Sequence, residues 1–266
     1  MRKLIINADD CNLTPGVTRG ILKSHDEGIL TSTTVLINLP IENKTIRALK
    51  ARPRLGVGLH LNVTLGKPVS RVAVGARRAV PLLTDSNGQF RRPLDYWKKR
   101  PLLKDVVSEY DAQIQLFKKN FGNPPDHLDT HHHLHDDLLF FRALAVVARK
   151  WKLPIRRSRI FLAVGAPLVG AQKGQAQGLP LRTTDYLFGN LEAKFHWQMR
   201  PFLGVIENLT DGSSEIACHP AFCDRALREI SSFREPRQEE LKLFSNKKLR
   251  KTLADLEIEL IRFSDI

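Results

Sequence analysis

Histidine and aspartate are concentrated in one stretch of this chain, HLDTHHHLHDD at residues 127–137, which holds five of the nine histidines and three carboxylates. Both side chains bind divalent metal ions, and histidine also gains and loses protons near neutral pH. Three interpretations of this stretch are therefore open: a metal site, a proton-transfer site, or a local bias of composition. The rest of the chain decides between them, because a metal site needs further ligands from elsewhere.

Other reactive side chains follow short apolar runs. The run LIIN leads into Asp9 and Asp10, GVGL leads into His60, and EIAC leads into His219. Each run is typical of a buried parallel strand, and the carboxyl ends of such strands share one face of an α/β barrel. Taken singly, each residue is better explained by a turn, a helix terminus or a buried hydrogen bond. Together they favour one metal site assembled at that face.

Within the histidine stretch, Asp129, His131, His133 and His135 alternate along the chain. In an extended strand, alternate side chains point to the same side. We therefore expect these four residues to share one side, and at least one of them to bind the metal.

The segments between these residues alternate between short apolar runs and amphipathic stretches of helix length, which is typical of βα units. A helix is predicted directly after Thr14, which is suited to cap it, with Pro15 at its first position and Gly28 at its end. The other predicted elements are strands at 3–7, 32–39, 55–63, 214–220 and 257–263, and helices at 42–51, 102–121, 138–151, 192–208 and 238–254.

Two segments interrupt this pattern. Residues 66–101 are rich in glycine, proline and arginine and contain the turn sequence DSNG, so we expect a loop or insertion there. Residues 161–178 are rich in glycine and alanine and are expected to form a loop. The chain shows no internal repeat and no disordered linker, and 266 residues fit a single α/β barrel, so we predict one domain over residues 1–266.

The chain is strongly basic: 42 lysines and arginines against 28 aspartates and glutamates give a formal charge of +14. Such an excess attracts polyanions, so peripheral contact with anionic surfaces is compatible with the composition. The basic residues occur in short clusters that form neither an aromatic-interleaved motif of the RNA-binding kind nor zinc-finger spacing. We therefore expect no specific nucleic-acid binding.

Composition also bears on the cellular compartment. No apolar run approaches the roughly 20 residues that a transmembrane helix needs. The apolar run near the N-terminus ends after three residues, at Asn7, whereas a secretory signal needs about 7–15. Three cysteines, an odd number, fit a reducing compartment better than a disulfide framework. We expect a cytoplasmic protein without a transmembrane segment.

Five segments resemble, in order and spacing, the motifs of the YdjC-like carbohydrate deacetylases: LIINADD, GILTSTTVLIN, GLHLNVTLGKP, HLDTHHHLH and EIACHPAF. The likeness extends from residue 2 to the C-terminal IELIRFSDI. It implies an α/β fold, an irregular or incomplete (β/α) barrel of the TIM type with mostly parallel central strands. It also implies metal-dependent hydrolysis of the N-acetyl group of an amino sugar, in a chitooligosaccharide, a glycoconjugate or a glycolipid.

The resemblance also implies roles for individual residues. One divalent metal ion, zinc or magnesium, would be bound by Asp10, His60 and His131. Asp9 would be the catalytic base beside the metal, and His219 the general acid. The expected supporting or substrate-contacting residues are Asp129, His133 and His135.

Two features depart from the family pattern. Cys11-Asn12 stands where members have an apolar residue followed by glycine; asparagine tolerates the left-handed backbone of such a turn, and the small Cys11 is expected to leave a larger pocket. Segment 66–101 is not matched to the family pattern and is expected to shape the substrate site. Two other functions stay open: hydrolysis of another amide or ester by the same residues, and non-enzymatic binding of polyanions. A homodimer is a further hypothesis, because two-fold dimers are common among soluble oligomers.

Overall fold

The computed structural model describes residues 1–70, 82–159, 181–189 and 196–266. Within these residues the strands are β1 (Arg2–Cys11), β2 (Ser32–Val35), β3 (Gly56–Leu61), β4 (Leu128–Thr130), β5 (Tyr186–Phe188), β6 (Gly212–Cys218) and β7 (Ile258–Leu260). The α-helices are α1 (Pro15–Glu27), α2 (Asn43–Lys50), α3 (Asp95–Lys98), α4 (Leu103–Phe121), α5 (Leu138–Trp151), α6 (Met199–Glu207), α7 (Arg225–Ile230), α8 (Glu235–Phe244) and α9 (Lys248–Asp255). Two 3-10 helices cover His131–Asp136 and Phe263–Asp265.

Strand β1 is the centre of a parallel sheet whose strand order is β4-β3-β2-β1-β6-β5. Its first residues pair with β7 and its last residues with β2, while β6 pairs with it from Arg2 to Ala8. Every residue from Leu4 to Cys11 is buried, as expected for a strand of a parallel sheet that is covered on both faces. β1 therefore carries Asp9 and Asp10 into the interior of the protein.

The two ends of this strand order are connected through irregular contacts. Ile155 forms an isolated parallel bridge with Leu128 of β4. Its backbone nitrogen donates to the carbonyl of Arg182, which precedes β5, at 2.9 Å. Among the described residues, no regular strand lies between β4 and β5. The predicted α/β class and the irregular, incomplete (β/α) barrel are thus confirmed.

Helix α1 begins as predicted, because the Thr14 hydroxyl accepts a hydrogen bond from Val17 N at 3.3 Å and Pro15 occupies the first turn. The strand predicted at 32–39 is too long. β2 ends at Val35, where its partner β1 loses regular register between Ala8 and Cys11.

The single C-terminal helix predicted at 238–254 is wrong. The structure has two helices there, α8 and α9, separated at residues 245–247. The Asn246 side chain accepts a hydrogen bond from Lys248 N at 3.1 Å, and the Ser245 hydroxyl donates to Leu241 O at 2.6 Å. Short polar side chains compete in this way with helical backbone bonds. They end one helix here and start the next.

Three predictions lie wholly or partly outside the described residues. They are the loop at 161–178, residues 71–81 of the segment at 66–101, and residues 192–195 of the helix at 192–208. The described remainder of the last one is helical only from Met199. None of the helices in the described ranges is long and apolar enough to cross a membrane. The single domain stays a prediction.

The described part of segment 66–101 is attached to the barrel at both sides of the gap. Glu109 of α4 accepts the backbone N–H groups of Val69 and Ser70 at 3.0 and 2.9 Å. The Tyr96 hydroxyl donates to the carbonyl of Val63, just after β3, at 2.5 Å. The ends of this segment are therefore fixed beside the carboxyl end of β3.

Candidate metal centre and active site

Asp10, His60 and His131 converge at the carboxyl ends of β1, β3 and β4. The Oδ1 atom of Asp10 lies 3.1 Å from His131 Nδ1 and 3.4 Å from His60 Nε2. All three side chains are buried, and one ligand atom from each lies within 4.8 Å of the others. The structure thus brings together the three residues expected to bind a metal.

An irregular turn at the end of β1 orients its two aspartates. Adjacent side chains of a regular strand point to opposite faces. Here Asp10 adopts a left-handed backbone with φ of 65°, and Asn12 follows with φ of 74°, a conformation that Asp and Asn tolerate better than most residues. The Asn12 side chain donates to Leu36 O at 3.0 Å, which confirms that this turn forms without glycine. Cys11 is fully buried in the main hydrophobic cluster.

His60 is held in one orientation by its second ring nitrogen. Its Nδ1 lies 2.7 Å from Asp129 Oδ1 and 3.2 Å from the hydroxyl of Thr34. A ring that donates its Nδ1–H to a carboxylate presents an Nε2 lone pair, as in carboxylate–histidine–metal triads. Burial lowers the pKa of His60, but the carboxylates of Asp129, Asp10 and Asp9 outweigh it and raise the pKa to about 10. The surroundings of His60 therefore favour positive charge.

The donor set fits a divalent metal ion. Asp10 Oδ1 is buried and has no hydrogen-bond partner, which is costly for a carboxylate oxygen unless a cation or donor satisfies it. The other oxygen, Oδ2, accepts a bond from Arg237 Nη2 at 2.6 Å, so Oδ1 is left to face the two imidazoles. Two imidazoles and one carboxylate suit zinc and related metals, and leave coordination positions open.

Asp9 is held by a fully buried arginine. Both of its oxygens lie 2.7 Å from guanidinium nitrogens of Arg156, and Asn7 Nδ2 donates to Oδ1 at 3.0 Å. Burial raises the pKa of Asp9, but the Arg156 charge, with smaller contributions from His60 and His219, holds it well below its usual value. Asp9 is therefore an ionised carboxylate in a fixed orientation.

Arg156 also contacts two other carboxylates: Glu215 Oε1 at 2.7 Å and Asp129 Oδ2 at 3.0 Å. Sequence reasoning missed this residue, because it lies in the basic run RKWKLPIRRSR, which has the composition of a surface segment. The signal that marks it is the short apolar run LPI just before it, the same arrangement that precedes the other site residues. Arg237 was missed as well, because it lies in a polar, charged helix.

His219 follows β6 and lies at the edge of the same site. Its Nε2 is 3.9 Å from Asp9 Oδ2, and its side chain is 26% exposed. The backbone nitrogen of His219 donates to the buried carboxyl of Glu240, which fixes the turn after the strand. Burial lowers the pKa of His219 to about 4 despite the nearby Asp9, so the ring is neutral at pH 7.

The expected alternation of Asp129, His131, His133 and His135 on one side is wrong. The strand ends at Thr130, and His131–Asp136 form a 3-10 helix in which His132 and His133 have left-handed backbones. The Thr130 hydroxyl causes this reversal, since it accepts from His135 N at 2.9 Å and lies 2.6 Å from the ring Nδ1. Asp129 supports His60, whereas His133 and His135 form a separate group with Asp136. The catalytic and substrate-contacting roles of all these residues stay predictions.

Comparison with known proteins identifies the family of the chain. Residues 3–255 match the model of the family described as YdjC-like protein. A carbohydrate deacetylase of Vibrio cholerae is 31% identical over 98% of this chain and 95% of its own length, and one of Brevibacillus brevis is 31% identical over 99% of both. A solved structure of an Enterococcus faecalis protein is 30% identical in sequence to this chain, with a TM-score of 0.80. The match covers 99% of this chain and 98% of that protein, whose name describes cleavage of cellobiose phosphate. This chain therefore belongs to the YdjC-like protein family, as its motifs predicted.

Proposed function

We propose that this protein is a metal-dependent deacetylase that hydrolyses the N-acetyl group of an amino sugar. The observation that carries the proposal is the convergence of Asp10, His60 and His131 beside an Asp9 carboxylate that Arg156 holds ionised. The carbohydrate deacetylases that resemble the chain over nearly its whole length support the substrate class.

The metal ligands would be Asp10, His60 and His131. A divalent ion bound there polarises the acetyl carbonyl and makes water more acidic. Zinc fits two imidazoles better than magnesium does, because magnesium prefers oxygen ligands.

Asp9 and His219 would move the protons of the reaction. Asp9 accepts a proton from water as the water oxygen forms a bond to the acetyl carbon. Its Oδ2 lies 3.9 Å from His219 Nε2, so this proton has a short path to the imidazole. His219 then donates it to the sugar nitrogen as the carbon–nitrogen bond breaks. A free amine and acetic acid leave, and the acid gives its proton to the solvent to become acetate.

The finer substrate class within this proposal is a chitooligosaccharide, a glycoconjugate or a glycolipid. The net charge of +14 favours a substrate or surface that carries negative charge. All three cysteines are free, which supports a cytoplasmic location.

Acetate release tests this proposal. A panel of N-acetylglucosamine compounds is incubated with metal-loaded protein, with chelator-treated protein, and with the Asp9→Asn variant. Asp255→Asn, which makes the same change at an exposed position, is the matched control. We expect release that requires both metal and Asp9, with a loss of about 10²- to 10⁴-fold in Asp9→Asn.

The other outcomes identify the alternatives. Release of the acid from other amides or esters, but not from acetylated sugars, would assign a different metallohydrolase. Salt-sensitive polyanion binding that Asp9→Asn leaves unchanged, without any hydrolysis, would replace the enzyme by a binding protein.

A further inference from the structure

A second group of metal-ligating side chains lies on the 3-10 helix that follows β4. His133, His135 and Asp136 each offer one ligand atom, and these three atoms lie within 4.8 Å of one another. None of the three belongs to the centre formed by Asp10, His60 and His131. The group is also accessible, because the side chains of His133 and Asp136 are only partly buried.

Two imidazole nitrogens of this group lack partners. His133 Nδ1 and His135 Nε2 are both buried and make no hydrogen bond. His135 is 0% exposed, so water does not satisfy its Nε2 atom, and leaving a buried polar atom unpaired is costly. On the other side of the His135 ring, Nδ1 lies 2.6 Å from the Thr130 hydroxyl. When Nδ1–H donates to this hydroxyl, Nε2 carries a free lone pair, which is the form of histidine that binds a metal.

A third group of possible metal ligands, next to Arg156, differs from the group on the 3-10 helix. Asp9, His60 and Asp129 also place ligand atoms within 4.8 Å of one another. There, however, Arg156 already occupies the carboxylates, at 2.7 Å from Asp9 and 3.0 Å from Asp129. Among the residues that the structure describes, no hydrogen-bond partner occupies His133 Nδ1 or His135 Nε2.

The surroundings permit a cation at this position. Asp136 Oδ1 accepts from Arg159 N at 2.7 Å, and Oδ2 pairs with the Arg159 side chain at 3.0 Å. That side chain is 67% exposed, so the ion pair is weak and a metal ion can displace it. The nearby positive charge of Arg156 is balanced by its contacts with Asp9, Asp129 and Glu215.

We propose that His133, His135 and Asp136 form a second binding site for a divalent transition-metal ion such as zinc, separate from the catalytic centre. Two imidazoles and a carboxylate match the preferences of zinc, and the remaining positions are open to water. A metal there joins the middle of the 3-10 helix His131–Asp136 to its last two residues, so it stiffens the backbone that follows a ligand of the catalytic centre.

Zinc stoichiometry tests this site without any assay of activity. The full chain is stripped of metal, equilibrated with zinc and desalted, and bound zinc and protein are measured by mass spectrometry. We expect two zinc ions in the wild-type protein and one in His133→Asn. His132→Asn is the matched control with two, because His132 and His133 both have left-handed backbones, with φ of 56° and 49°, which asparagine tolerates.

A further pair of variants separates the two sites. Asp136→Asn is a second variant of the proposed site, used if His133→Asn fails to give the circular dichroism spectrum of the wild type. His60→Asn removes a ligand of the catalytic centre, and this variant should bind one zinc ion. The double variant His60→Asn with His133→Asn should bind none. One zinc ion in the wild type that persists in His133→Asn overturns the inference but not the proposed function. One zinc ion that His60→Asn retains and His133→Asn loses overturns the catalytic metal centre instead.

Discussion

Arg156 and Asp9 form a bidentate ion pair in the protein interior. Both nitrogen–oxygen distances are 2.7 Å, and neither side chain is more than 2% exposed. Because the two contacts fix both the position and the plane of the carboxylate, Asp9 is oriented before any substrate arrives. A planar fork is needed for this geometry, and lysine does not provide it.

Arg156→Lys should therefore reduce kcat by about 10²-fold, the effect expected when a catalytic group is misplaced by about 1 Å. Arg156 lowers the pKa of Asp9, so a weaker contact raises that pKa. The acidic limb of the pH–rate profile should then move to higher pH, which a loss of stability alone would not cause. Arg157→Lys, at the adjacent position, is the control with an unchanged profile. An unshifted limb in Arg156→Lys would remove Arg156 from the control of Asp9.

Thr34→Val should weaken metal binding about tenfold or more, the usual cost of losing a group that orients a ligand. The Thr34 hydroxyl donates to Asp129 Oδ2 at 3.1 Å and contacts His60 Nδ1 at 3.2 Å. Thr33→Val is the matched control, since the neighbouring hydroxyl is equally buried but donates to Ala8 O instead, at 2.7 Å. Competition with a coloured chelator measures the zinc Kd of each protein, with His133→Asn present throughout so that the catalytic centre alone is titrated. Equal Kd values for the two variants would argue that the hydroxyl of Thr34 does not support His60.

Glu240 should make the protein less stable as the pH rises toward neutrality. Burial raises the pKa of Glu240 to about 7, although the N–H groups of Trp197 and His219 oppose this shift. The unfolded chain therefore releases this proton near pH 4.3, whereas the folded chain keeps it until about pH 7. Between these values the Glu240 contribution to the free energy of unfolding falls with a slope of up to about 1.4 kcal/mol per pH unit.

Denaturant unfolding of the wild type and of Glu240→Gln at pH 4.5 to 7 measures this contribution, because glutamine does not titrate. The difference in unfolding free energy, wild type minus variant, should decrease steadily over the range. A difference that is constant with pH would show that Glu240 is ionised throughout in the folded protein.

Gly58→Ala should lower the free energy of unfolding by about 1–3 kcal/mol, the usual cost of overpacking a core. A Cβ atom at this position would lie 2.4 Å from Cε1 of His127, whose ring is stacked on Phe263 with centroids 3.8 Å apart. Gly204→Ala, in an exposed part of α6 with open space around the Cβ position, should instead raise stability by about 0.5–1 kcal/mol. Thermal unfolding of both variants checks the opposite signs; destabilisation by both would point to a general intolerance of alanine.

The reactive residues at the ends of strand-like runs indicated one site at one face of the sheet, and the family resemblance singled out Asp10, His60 and His131 as its metal ligands. The structure brings these three side chains together, and their binding of a metal stays a prediction. The position of Arg156 in the site was not predicted from the sequence, and the reason is physical. A charged residue is buried only when other charges balance it, and the three carboxylates that balance Arg156 come from β1, β4 and β6. Their proximity depends on the assembled sheet and is not apparent in any local stretch.

In the histidine stretch, by contrast, a local interaction makes the structure differ from the strand that the sequence pattern predicted. Alternating residues predict an extended strand, but one hydroxyl, that of Thr130, folds the chain back onto His135. Asn246 acts similarly where the predicted C-terminal helix divides in two. Side-chain bonds to nearby backbone groups of this kind depend on geometry that hydrophobic periodicity does not report.

The pairing of β1 with β6 and β7 has a consequence for biosynthesis. Strand β1 leaves the ribosome long before two of its partner strands, because Arg2 pairs with Gly212 and Ile258, far later in the sequence. Until β6 and β7 are synthesised, β2 is the one of these three partners with which β1 can pair, so the long-range contacts form late. The aspartates of the reactive centre are therefore enclosed late, and a ribosome that stalls before β6 holds a chain in which the centre has not yet assembled.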